Sequence, residues 1–170
     1  PGEYDELLKL KGIGHYTAGA VASIAYGKYV PAVDGNVLRI LTRVTADDTD
    51  IMKQSFRSEM ERALLEAMQK LSISDKLTGR LRDKNIPGAL NQAMMELGAV
   101  VCIPNGAPRC GDCPLMHLCH ACHEQTTDRI PVRTPKKART VVHRTVLLPR
   151  CGGLVGIRKR PDTGLLARMW

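Results

Sequence analysis

Aromatic side chains are scarce in this sequence of 170 residues: one Phe, one Trp and four Tyr make up only 4% of it. A core stacked from rings is excluded, and seven Met predict one filled by flexible side chains instead. Long apolar runs are absent too. None approaches the ~18 residues of a membrane span, and 25% of the residues are charged, so the expectation is a soluble chain with no membrane partner. No basic, apolar and small-residue leader follows Pro1, so the chain reads as an excised piece whose cellular address is not visible.

A basic surface is also missing from most of the chain. The net charge of +8 suggests nucleic acid, but residues 1–50 hold five Lys/Arg against seven Asp/Glu, and residues 51–120 nine against seven. The last 50 residues hold eleven against three. A nucleic-acid reading of the first 120 residues therefore has to rest on motifs. What is present suffices for folding: 44% of the residues are hydrophobic, in a chain the size of one ordinary domain or two small ones.

Period-2 alternation is nearly absent from residues 1–101, and apolar residues recur there at helical spacing, which predicts an all-α segment. Tyr4, Leu7 and Leu8 mark a short helix, broken at Lys11-Gly12-Ile13-Gly14, and Thr17–Tyr26 reads as a second, Ala-rich one. Val37, Ile40, Leu41 and Val44 belong to a third, opened by Asp34, whose side chain is placed to cap it. Met52, Phe56, Met60, Leu64, Met68 and Leu71 predict a long amphipathic helix, and Gly79 to Lys84 a loop. Pro87 suits a first helical turn, and Leu90, Met94, Leu97 and Val101 make the stripe of a helix that delivers Cys102. Residues 124–139, with two Pro and five Lys/Arg, read as an exposed linker. Residues 140–148 and 154–157 then look like two strands of a hairpin, too small to stand alone and so the opening of a β-containing domain.

Five of the six Cys fall within 21 residues, at 102, 110, 113, 119 and 122. A disulfide framework suits small secreted chains, so metal ligation is the stronger reading. Cys110, Cys113, Cys119 and Cys122 form two Cys-x2-Cys pairs that fit tetrahedral zinc. Cys102, Cys110, Cys113 and Cys119 are unevenly spaced, as around a larger [4Fe-4S] cube. Spacing leaves both open, with a lean to zinc. His117, His120 and His123 are further zinc candidates, or exposed side chains.

The segment from Leu10 to Gly14, running into His15-Tyr16-Thr17-Ala18, is a helix, a two-glycine turn and a second helix. Amide N–H groups at such a helix start form an anion site that takes a phosphate without any basic side chain. An ordinary helix-helix turn has the same sequence signature.

Four blocks in this order, Gly12 to Ala20, Val33 to Val37, Asn91 to Ala99 and the Cys cluster, resemble the MutY-type adenine DNA glycosylases of the helix-hairpin-helix superfamily, which also includes endonuclease III. Arg160 to Trp170 is similar to the opening of that family's Nudix-like C-terminal domain. The resemblance implies a mainly α helix-hairpin-helix glycosylase fold in four parts. Residues 1–33 would be the hairpin part of an incomplete six-helix domain and 34–123 a helical iron-sulfur domain. Residues 124–139 would be a linker and 140–170 the first strands of an incomplete Nudix-like domain.

For the site, the resemblance implies catalysis by Asp34 and DNA contacts by Gly12, Ile13, Gly14, Tyr16, Thr17 and Arg109. A monovalent cation at the hairpin would assist docking. A [4Fe-4S] cluster would sit on Cys102, Cys110, Cys113 and Cys119, which displaces zinc and leaves Cys122 as a bystander. The implied reaction is hydrolysis of adenine from mispairs with 8-oxoguanine or guanine in double-stranded DNA, by an intracellular, DNA-associated monomer. Bifunctional relatives carry a Lys where Tyr16 stands, so no imine forms and strand cleavage is not expected. The family's catalytic Glu lies upstream of Pro1, so residues 1–170 alone are expected to be inactive. Departures are a first Cys gap of seven residues where the family has six, Lys11 in place of a common Pro, and Arg168 in place of Gly. The alternatives are a noncatalytic helix-hairpin-helix DNA-binding module and an endonuclease III-like glycosylase. A zinc-ribbon protein is more distant.

Overall fold

The computed structural model describes residues 1–73, 85–135, 138, 140–143 and 145–170. The loop expected at 79–84 lies outside them. The chain divides into two units, Pro1–Pro135 and Lys136–Trp170. Charge divides with them: residues 136–170 hold nine Lys/Arg against one Asp, the whole excess of +8, and residues 1–135 balance sixteen against sixteen.

The first unit is helical, with α1 at Tyr4–Leu8, α2 at His15–Tyr26, α3 at Gly35–Thr45, α4 at Gln54–Ile73 and α5 at Ile86–Glu96. A single π-helical turn, Leu97–Val101, extends α5, and 3-10 turns at Cys110–Asp112 and Met116–Leu118 lead to a short α6 at His120–His123. Pro87 occupies the first turn of α5, where its missing N–H costs no hydrogen bond, and Asn85 caps that helix through Gly88 N–H at 2.9 Å. No described helix is long and apolar enough to cross a membrane.

Two apolar clusters hold the unit together. Val33, Val37, Leu38, Ile51 and Phe56 form one, with Leu41, Met60, Leu64 and Met94 packed on it. Leu7, Ala18 and Ala22 form the other, against Tyr4, Leu8, Ile13 and Val21. The expected Met-rich core is met only in part. Met68 is buried and Met60 and Met94 pack on the first cluster, but Met52 and Met169 are exposed and the lone Phe56 is central.

Buried Asn91 pins residues 30–32 against α2 and α5. Its Oδ1 accepts from Ala32 N–H at 3.0 Å, and its Nδ2 donates to Ser23 Oγ at 2.7 Å and Val30 O at 2.9 Å. The segment that ends in Asp34 is thereby fixed at its base.

The exposed linker expected at 124–139 is corrected over its first part. Ile130 is buried, Val132 O accepts from Ile51 N–H at 3.1 Å, and Thr134 donates to Asp50. Polar composition concealed this because the contacts run through backbone carbonyls. The hydrogen bond from Thr134, with a second from Met52 N–H, holds the Asp50 carboxyl below its ordinary range.

The second unit is described by itself. Its hairpin is shorter than expected: β1 (Arg150–Cys151) pairs antiparallel with β2 (Leu154–Val155) around Gly152-Gly153. The described residues of 140–148 take no strand, since nothing described pairs with them or covers them, and Val146 and Leu147 are among the most exposed apolar side chains. Past the hairpin, Arg160 N–H donates to Met169 O at 2.8 Å, Arg168 pairs with Asp162, and the Lys159 ammonium lies 5.7 Å from the Trp170 ring centre.

Candidate functional site

The hairpin between α1 and α2 presents backbone. Gly12 has φ of +90°, a conformation that a side chain rarely adopts, and a Cβ at either Gly12 or Gly14 would meet nothing within 4 Å. Gly14 stands at the N-cap of α2 without a side-chain cap, so N–H groups of the first turn face outward as free donors. Gly12, Gly14 and Tyr16 are exposed and Ile13 and Thr17 half-buried, while Ile13 anchors the turn on the second apolar cluster. Beside it, Tyr4 Oη and His15 Nδ1 are 2.7 Å apart.

Asp34 caps α3. Its Oδ1 accepts from the N–H groups of Asn36 at 2.8 Å and Val37 at 2.9 Å, and its Oδ2 accepts from Asn36 Nδ2 at 3.0 Å. The carboxylate thus has a set direction, half-buried at the helix start, where the dipole favours negative charge.

The constraint continues away from Asp34. Asn36 Oδ1 accepts from Arg39 at 2.9 Å, and the same guanidinium donates to Gly98 O at 2.6 Å and to Cys102 O at 2.7 Å. A Cβ at Gly98 would lie 2.7 Å from Asn36 Cβ, so only glycine lets the π-helical turn approach α3 this closely. One chain of hydrogen bonds therefore joins the Asp34 carboxylate to the first cysteine. Burial pushes the Arg39 guanidinium down from its ordinary range, with the Cys102 thiol and Asp34 acting in the opposite direction. An arginine nevertheless stays charged in a protein.

One turn along α3, buried Arg43 donates to Ile130 O and Thr127 O, each at 2.7 Å, and to Ile103 O and Cys102 Sγ, each at 3.3 Å. Cys119 Sγ donates to Arg43 O at 3.3 Å. Sequence reasoning missed Asn36, Arg39 and Arg43. Their signal was there: two Arg at i and i+4 on a helix whose neighbours Leu38, Ile40 and Thr42 are also buried.

Cys102, Cys110, Cys113, Cys119 and Cys122 line one open cavity of about 300 Å³, together with Arg43, Pro108 and Met116. All six cysteines are free thiols, which rules out the disulfide reading. Burial, then the neighbouring Cys122, Cys119 and Cys102 thiols, push the Cys110 thiol up to about 11. Burial raises the Cys119 thiol as well. Crowded thiols of this kind become ligands once a cation offsets their charge. Among the described residues, no three His, Cys, Asp or Glu side chains are grouped closely enough for a single metal ion. His117, His120 and His123 are exposed and do not join the thiols. Arg109, also exposed, closes the loop after Cys102 through its N–H to Val101 O at 3.0 Å.

No protein-family model matches the chain. It is 34% identical to an adenine DNA glycosylase of Arabidopsis thaliana, over the whole of this chain and 27% of that protein. Identity to the adenine DNA glycosylase of Schizosaccharomyces pombe is 42% over 76% of this chain and 25% of that protein, and to that of Mycolicibacterium smegmatis 41% over 69% and 34%. The chain thus spans only about a quarter to a third of the curated relatives it matches. A solved endonuclease III bound non-covalently to DNA superposes with a TM-score of 0.50 and 30% identity, covering 74% of this chain and 50% of that one. On these similarities of sequence and fold, the chain belongs to the helix-hairpin-helix DNA glycosylases, in the adenine DNA glycosylase branch.

Proposed function

We propose that the protein hydrolyses the N-glycosidic bond of adenine mispaired with 8-oxoguanine or guanine in double-stranded DNA, acting as a monofunctional glycosylase. The observation that carries this is Asp34, whose two oxygens are fixed by three hydrogen bonds at the start of α3. Loss of adenine leaves a sugar with oxocarbenium character, which an oriented carboxylate stabilises without reorganising. Flipping the base into reach costs a few kcal/mol, least at a mispair. Tyr16 offers no amine, so water and not a lysine takes up the sugar.

The hairpin supplies docking. In this reading the free N–H groups after Gly14 receive a backbone phosphate, aided by a monovalent cation at Gly12 and Ile13, with Tyr16, Thr17 and Arg109 as further DNA contacts. Gly14→Asp tests it cleanly. Aspartate is a better N-cap than glycine, so helix α2 should hold, yet its carboxylate takes the same N–H groups and repels the phosphate. Duplex affinity measured by fluorescence anisotropy should fall at least tenfold, with unchanged circular dichroism. Unchanged affinity would move docking elsewhere.

The donor set fits a [4Fe-4S] cluster. Thiolates on a single tetrahedral zinc lie about 3.8 Å apart, from Zn–S bonds near 2.3 Å. The thiols here surround one cavity without forming a group that tight. Cys102, Cys110, Cys113 and Cys119 would hold the cluster, which supplies cross-linking of the loop and, when bound, a redox-active centre. Arg43 would offset its negative charge at Cys102. The remaining assignments belong to the same proposal: an intracellular, DNA-associated monomer, with residues 1–33 in the hairpin domain, 34–123 in the cluster domain and 140–170 opening a Nudix-like domain. Single-turnover assays of the full-length protein on adenine opposite 8-oxoguanine should release adenine without cutting the strand. Base release accompanied by strand cleavage, or none at all, would overturn the reading.

A further inference from the structure

The four-ligand reading leaves Cys122 without a role, yet its thiol lines the same cavity as the other four. We propose that Cys122 is a reserve ligand of the cluster site, positioned to replace Cys110 on the iron. The proposal rests on the cluster reading above and goes beyond it.

Placement is the first support. Cys122 lies on α6, which begins immediately after Cys119, and its N–H donates to Cys119 O at 3.2 Å. The buried Ala121 and the hydrogen bond from Thr126 N–H to Ala121 O, at 2.9 Å, hold that turn in place. A fifth soft donor is thus built into the wall of the site by ordinary packing and is not a tail that happens to pass it.

Selectivity for Cys110 is the second support. The Cys122 side chain hydrogen-bonds that of Cys110. Cys102 and Cys119 are each tied to α3, the first by the Arg43 guanidinium at its Sγ and the second through its own Sγ to Arg43 O. Cys110 has no such tie to α3. It ends the loop 103–109, most of which is exposed and which turns at Gly106 with φ of +80°. Loss of the Cys110 bond therefore leaves the two ties to α3 unchanged while a neighbouring thiol stands ready. In the exchange the Cys110 sulfur leaves the iron and takes up a proton, and the Cys122 thiol releases one as its sulfur binds. Charge and electron count are preserved.

The test uses the full-length protein purified anaerobically, with iron content and visible absorption as readouts. Wild type, Cys122→Ser and Cys110→Ser should each hold about four irons per chain, and Cys110→Ser/Cys122→Ser should lose them. Equal iron loss from Cys110→Ser and the double variant would overturn the proposal. A second measurement avoids altering Cys110: iron release from Cys122→Ser to a chelator should be several-fold faster than from wild type, because an opened Cys110 bond is no longer recaptured. Equal rates would overturn the proposal while leaving the cluster itself in place. A wild-type protein without iron would remove the cluster reading and the reserve ligand together.

Discussion

Replacing Asp34 by Asn in the full-length protein should slow adenine release by two to three decades, since losing one preorganised electrostatic stabiliser costs about 3 to 4 kcal/mol in the transition state. The fold should tolerate the change. Asparagine caps a helix about as well as aspartate, so the hydrogen bonds from Asn36 and Val37 N–H to one oxygen survive. The second position becomes an NH2 group facing Asn36 Nδ2, donor against donor. Turning the Asn36 amide only moves the conflict to Arg39, which needs the Asn36 oxygen. A stability loss near ~1 kcal/mol should follow. Binding to mispaired DNA should persist, because the hairpin is untouched. Single-turnover rates beside affinity separate the two effects, and a wild-type rate would show that the carboxylate faces no developing charge.

Arg39→Met should be the most damaging change to the fold. The guanidinium is buried and satisfies Gly98 O, Cys102 O and Asn36 Oδ1 at once. Methionine matches much of its length but donates nothing, and each buried acceptor left bare costs about 1 to 3 kcal/mol. A loss of at least about 3 kcal/mol is expected in urea unfolding, even with part of that strain relaxed. The consequences should reach both ends of the hydrogen-bond chain. Iron retention should fall because Cys102 loses its tether, and catalysis should fall because Asn36 no longer orients Asp34. Arg39→Lys should recover only part of the stability, since an ammonium cannot reproduce the planar fork. A change below about 1 kcal/mol for Arg39→Met would mean that water replaces the guanidinium.

Helix identity was legible because it depends on local rules. The apolar period, Pro87 at a first turn, Asp34 at a cap and the glycines of the hairpin place α1 to α5 within a few residues. The candidate cysteines were legible as a set for the same reason, since five fall within 21 positions. The hairpin in residues 140–170 was overread. Val141 to Leu148 carry strand-forming side chains, but a strand needs a partner, and the described ladder is confined to Arg150–Cys151 and Leu154–Val155.

By itself, then, the sequence determined which residues carry chemistry: the capping carboxylate, the exposed amides and the thiols, each announced by residue type and near-neighbour spacing. Tertiary structure alone decided how they are connected. Arg43 reaches Ile130 O across 87 positions and Arg39 reaches Cys102 O across 63. Their acceptors are backbone carbonyls, which every residue possesses and no residue type advertises. Tertiary packing also decided that Cys122 shares the cavity of the other four thiols, because the direction of the short helix α6 depends on the burial of Ala121 and not on the spacing of cysteines.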